Sequence, residues 1–238
     1  MNLRNEQNKT SILNRQSSIF NIQSQSGFTL IEIGIAIFIL GVGLISMLTI
    51  FPIGVDSMRK VTQYSNAAVL TESAISYLKA NDVVTFVGTN TGCNTYPDTD
   101  PDQDNPFEDS SGNTIFAQYS WQATVQNLTT DNNLVRAQIA IFRNFNSSQF
   151  GTGTADFTTS DDSVSSVSAF PSWLTSRHYI KDTDNSSDDK FWYRIESVGT
   201  SSSTITLEGE FLGTGGSPHT FSTTKNIIDI YETMFSKR

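Results

Sequence analysis

A single carboxylate stands in a long apolar stretch. Between Phe28 and Ile53 the only ionisable side chain is Glu32, about one helical turn into the run. A carboxylate at the centre of a bilayer costs about 2.5–3.5 kcal/mol on insertion scales, and such residues usually have a partner or a function. Close to the end of the run it can instead snorkel to the headgroups. Immediately before the run, Gly27 marks an abrupt switch from polar to apolar sequence.

A second set of acids lies further on. Asp98, Asp100, Asp102, Asp104 and Asp109 fall at positions 1, 3, 5, 7 and 12 of an EF-hand-like loop, the pattern that would offer oxygens to calcium. Three departures weaken it: Gln103 sits where the turn needs Gly, Pro101 and Pro106 restrict the loop, and Asp replaces the bidentate Glu. The reading is a solvated acidic loop without a high-affinity site, with calcium the one cofactor the pattern leaves open. Asp182, Asp184, Asp188 and Asp189 form another acidic group with less spacing information still.

Catalytic chemistry finds little to work with. His178 and His219 are the only histidines, neither in a metal-ligand pattern, and no HExxH, CxxC, P-loop or GxSxG occurs. The chain reads as a non-enzyme. Cys93 is the one cysteine, so no intramolecular disulfide can form, and it reads as a plain loop thiol. Trp192 and Tyr193 read as sheet packing rather than as an exposed contact surface.

The elements that carry these residues follow from hydrophobic patterning. The 26 residues from Phe28 to Ile53 would make a helix roughly 39 Å long, enough to span a hydrocarbon core of roughly 30 Å with some tilt. The run is apolar on every face, which sets it apart from a striped surface helix. Gly34, Gly41, Gly43, Pro52 and Gly54 interrupt it, a burden that membrane helices tolerate better than soluble ones. From Val55 to Ala80 the sequence reads as an amphipathic helix with Met58, Val61, Tyr64, Ala68, Ile75 and Leu78 on its apolar stripe. Asn81-Asp82 stops it.

Residues 94–113 read as a loop. Strands follow: Trp121, Ala123 and Val125 alternate with Ser120, Gln122, Thr124 and Gln126 in a half-buried strand, and Val135, Ala137, Ile139 and Ile141 make its hairpin partner. Residues 144–168 are too rich in Gly, Ser, Thr and Asp for a regular element on this reading. Further strands are expected at Phe191–Val198, Thr204–Phe211 and Ile227–Tyr231, with Trp173–Ile180 a weaker one. The layout is α+β, a long N-terminal helix packed on an antiparallel sheet.

Charge sets the orientation. Arg4, Lys9 and Arg15 against Glu6 leave the first 27 residues at +2, so the rest carries −11 of the chain's net −9. Basic residues before the span and an acidic domain after it place the N-terminus in the cytoplasm. Such acidity argues against nucleic-acid binding. The first 27 residues also differ from a secretory signal, because their hydrophobic region would lie after the cut and be kept.

The stretch Ser26-Gly27-Phe28-Thr29-Leu30-Ile31-Glu32 with its apolar continuation resembles the signature of the type IV pilin and type II secretion pseudopilin family. The resemblance implies cleavage by a prepilin peptidase between Gly27 and Phe28, N-methylation of Phe28, and a salt bridge between the new amine of Phe28 and Glu32 of a neighbouring subunit. It implies a leader over 1–27, a membrane-spanning and filament-core helix over 28–54, an amphipathic helix over 55–82 and a β-rich globular domain over 83–238. The implied partners are other pilin or pseudopilin subunits and an inner-membrane assembly platform. The implied location is the bacterial inner membrane, single-pass, with the C-terminal domain periplasmic. Lack of a disulfide, together with Gly43-Leu44 and Phe51-Pro52-Ile53-Gly54, points to a minor pilin or pseudopilin. A monomeric anchored binding protein using the same anchor is the alternative.

Overall fold

The computed structural model describes residues 27–89, 92–96, 104–128, 133–168, 171–184, 188–199 and 203–236. The chain forms two units, divided after Ser57. It is α+β, with one long N-terminal helix and antiparallel sheets.

Helix α1 runs Leu30–Ala80 without a break at Pro52. In the first unit its side chains, from Phe28 to Ile53, face outward on all sides, with Leu30 at 90% and Phe51 at 72% exposure. The few hydroxyls there bond to the helix's own backbone: Ser46 Oγ donates to the Val42 carbonyl and Thr49 Oγ1 to that of Ser46, each at 2.8 Å. Glu32 is the one ionisable side chain in this stretch, which is long and apolar enough to cross a membrane.

The second unit begins at Met58, and here the stripe differs from the expected one. Ala67, Leu70, Thr71, Ala74 and Leu78 are buried, whereas Met58 and Val61 are exposed at 73% and 68% and Ala68 is also exposed. The buried positions, spaced three and four apart, form a face on the opposite side of the helix from Met58 and Val61. Of the expected stripe only Leu78 is buried and Ile75 partly so. Thr71 fits an apolar site because its hydroxyl donates to the Ala67 carbonyl. The helix ends as expected, Asp82 adopting a left-handed φ of 50°, a conformation Asp tolerates better than most residues. Helix α2 (Val83–Thr89) follows directly.

An open antiparallel sheet packs on that buried face. Its order is β1 (Cys93–Tyr96), β3 (Tyr119–Asn127), β4 (Leu134–Arg143) and β11 (Ile227–Ser236), with β2 (Asn105–Pro106) also pairing β3. β1 and β2 lie inside the expected 94–113 loop, and Cys93 is accordingly a buried strand residue. The β3–β4 hairpin sets Trp121 across from Ile141, Ala123 from Ile139 and Val125 from Ala137. These residues share one core with Ala67, Leu70, Ala74 and Leu78.

The remaining strands close into a barrel: β5 (Gly151–Phe157), β6 (Ser163–Ser165), β7 (Tyr179–Asp182), β8 (Tyr193–Val198), β9 (Ile205–Leu207) and β10 (Gly216–Thr224), ordered β10-β5-β6-β9-β8-β7. Two of them occupy the 144–168 segment, which was expected to be irregular. Its glycines are strand residues placed where another group comes close. A Cβ on Gly151 would lie 2.3 Å from Pro171 Cγ, and one on Gly153 would lie 2.9 Å from the Phe221 ring. The barrel has its own core, including Phe157, Ile180, Ile195, Ile205, Leu207 and Phe221. Chain connectivity makes it an insertion between the neighbouring strands β4 and β11, and the Arg143 N–H donates to the Asn226 carbonyl at 2.9 Å where the chain leaves and returns. The expected single sheet is thus two structures. The strands expected at 191–198, 204–211 and 173–180 are shorter or shifted, and β11 is longer.

Candidate functional site

Gly27, Phe28 and Thr29 precede the first helical residue, Leu30. The bond between Gly27 and Phe28 therefore lies outside the helical hydrogen-bond ladder. Both residues are exposed, and among the described residues, chain neighbours apart, no atom lies within 4 Å of where a Cβ on Gly27 would stand. A protease needs such backbone, because a helical bond is already committed to its own turn. Thr29 sets this boundary. Its carbonyl accepts from the N–H of Glu32 at 3.0 Å and of Ile33 at 3.2 Å, and its Oγ1 lies 3.3 Å from the Glu32 N–H. Thr29 is the N-cap and Glu32 the third helical residue, the T-x-x-E arrangement of a capping box.

That motif was visible in the sequence and gives Glu32 a local reason beside any role in assembly. An acid in the first turn is favoured by the helix dipole. The Glu32 side chain is exposed and has no ion-pair partner among the described residues. Gly27, Phe28 and Glu32 therefore lie together at the exposed N-terminal end of an apolar helix.

The acidic loop is only partly described. Asp98, Asp100 and Asp102 lie outside the described residues. Asp104 is half-buried and Asp109 exposed. Asp109 Oδ1 accepts from the Ser111 N–H at 2.8 Å and the Asn113 N–H at 2.9 Å, while Oδ2 accepts from Asn113 Nδ2 at 3.2 Å. The bonds from Asn113 and Ser111 hold its carboxyl below the usual range. This carboxylate organises its own turn, and no group of three or more potential metal ligands occurs among the described residues.

The second acidic group separates in the fold. Asp182 Oδ2 stands 2.6 Å from His219 Nδ1, both residues buried in the barrel. A Cβ on Gly216 would fall 1.7 Å from His219 Nε2, so backbone fences the far side of the ring. Asp189 is buried too, accepting from the Tyr193 hydroxyl at 2.7 Å and the Phe191 N–H at 2.9 Å. Burial raises its carboxyl above the usual range and does the same to the Tyr193 phenol. Asp188 instead binds the Thr214 backbone and hydroxyl. His178 is half-buried; burial, then Lys225, lowers its pKa.

Sequence reasoning missed the seam between sheet and barrel. The β3 face expected to meet solvent is covered: Ser120, Gln122 and Thr124 are buried, as is Gln138 on β4. Gln122 Oε1 accepts from Lys181 Nζ and Trp192 Nε1, each at 3.3 Å. Gln138 brackets the Trp192 backbone, donating to its carbonyl at 3.0 Å and accepting from its N–H at 2.6 Å. Lys181 is fully buried with Nζ 4.9 Å from the Trp192 ring centre. Trp192 thus sits in this seam rather than in a strand or on the surface. The available signal was Gln at two strand positions facing the same side, a residue able to donate and accept at once. Neither a scan of protein-family models nor a search of curated proteins gives a match to this chain.

Proposed function

We propose that this chain is a minor pilin or pseudopilin, a structural subunit of a type IV pilus-like or type II secretion filament. A prepilin peptidase cuts between Gly27 and Phe28 on the cytoplasmic side, and Phe28 is methylated. The mature subunit waits in the inner membrane with its acidic domain periplasmic, and an assembly platform adds it to other pilin or pseudopilin subunits through α1. The observation that carries this reading is a first half of α1, up to Ile53, that is apolar and exposed on all sides, preceded by a non-helical Gly27-Phe28 bond and charged only at Glu32. The second half of α1, with one face buried against an antiparallel sheet, adds support.

Glu32 then serves register. Cleavage leaves a positive amine at Phe28 and a carboxylate one turn deeper. In a staggered bundle, one subunit's amine meets the next subunit's Glu32, while a wrong stagger buries both charges alone. Desolvation offsets much of the attraction, so the gain lies in specificity more than in stability. Glu32→Ala should still insert in the membrane and fail to co-purify with filament partners. Glu32→Asp should lose part of that co-purification. Normal incorporation of Glu32→Ala would leave Glu32 a snorkelling acid without a part in assembly, whereas failure of the parent chain to co-purify with any filament partner would favour an anchored monomeric binding protein instead.

A further inference from the structure

Between α1 and the β2 segment lies a groove of about 420 Å³, whose lining includes Ser73, Tyr77, Phe107, Glu108, Asp109 and Trp121. Its floor is apolar. Phe107 and Trp121 are buried in the helix–sheet core. Tyr77 remains 47% exposed and meets Trp121 edge to face, with ring centres 5.4 Å apart.

The rim is acidic and uncompensated. Asp109 is held ionised by its turn, as described above. Glu108 is exposed, and its carboxylate has no hydrogen-bond or ion-pair partner among the described residues. No Lys, Arg or His lines the groove among the described residues. An aromatic wall beside the exposed Glu108 and the turn-bound carboxylate of Asp109 suits a cation carried on an apolar stem. The stem covers the floor, and the charge meets both the acidic rim and the ring. A bare divalent metal fits poorly, because it takes six to eight oxygens and this wall is Tyr and Trp.

We propose that the groove docks a lysine or arginine side chain presented by another polypeptide. The inference rests on the filament reading, in which this subunit meets other chains, and it assigns one place where such a contact is made. The probe is a synthetic peptide of alternating lysine and glycine, titrated calorimetrically into the full chain in detergent micelles. Saturable binding is expected, weakened about tenfold by Glu108→Gln and by Tyr77→Leu. Glu196→Gln, which removes an equally exposed acid outside the groove, should leave binding unchanged. Absence of saturable binding, parent-like binding by Glu108→Gln, or an equal loss in Glu196→Gln would each overturn the proposal. Glu108 is a surface residue, so its variant decides the matter if Tyr77→Leu does not fold. The assay requires no assembly, so its failure is distinct from failure of the parent chain to co-purify with filament partners, which would sink the filament reading.

Discussion

The first half of α1 turns apolar side chains outward on every side, while the seam between sheet and barrel turns glutamines, threonines and a lysine inward. Each arrangement departs from the common distribution of residues, and the departures have different remedies. Around the helix, nothing among the described residues of its own unit covers Phe28 to Ile53, and on the proposed reading lipid or other helices supply the cover. At the seam the cover is internal, and the cost of burying the two glutamines is met by pairing them, Gln122 with Lys181 and the Trp192 indole and Gln138 with the Trp192 backbone, while Ser120 Oγ has no hydrogen-bond partner among the described residues. On the proposed reading, the contrast teaches that the first half of α1 is completed by its surroundings, whereas the seam is covered from within the chain.

The sharpest way to break that comparison is at Trp192. Its ring packs near Phe142 and Phe150 and its indole N–H donates to Gln122. Trp192→Ala should therefore cost about 3–5 kcal/mol, read as a lower urea midpoint of the full chain in micelles. A loss within the roughly 0.5 kcal/mol typical of surface changes would mean that the seam is not integral to the fold. A second, gentler probe is Cys93, whose thiol accepts from the Lys190 N–H at 3.2 Å. Burial, partly opposed by that bond, pushes its pKa from 9.0 to about 12. Alkylation at pH 8 should be roughly a thousandfold slower in the folded chain than in urea, measured by mass. The folded value is raised, so the thiol's contribution to stability is complete below pH 9 and is lost as the pH climbs toward about 12. Fast labelling of the folded chain would open the seam.

Legibility followed the same division. The apolar helix and the β3–β4 hairpin were readable because each follows one period, and Trp121, Ala123 and Val125 do face the core. The stop at Asn81-Asp82 was readable from residue chemistry. The inward face of α1 was misread because Met58 and Val61 look like core residues, while the face that packs uses Ala67, Ala74 and Thr71, small enough to let the helix approach the sheet. The barrel escaped notice for a related reason. Gly151 and Gly153 are signs of a loop unless the Pro171 and Phe221 side chains that press on them are known. Pairing β4 with β11 across an inserted barrel is equally beyond local pattern, since no short window contains both strands. At the helix start, Thr29 and Glu32 were legible as a cap and were read only as membrane chemistry.

The most direct test of the account concerns the junction that opens α1. Full-length protein expressed in a host carrying a prepilin peptidase, extracted from the membrane and measured by intact mass, should begin at Phe28 and carry one added methyl group. Mature protein retaining residues 1–27 would contradict the account at its base.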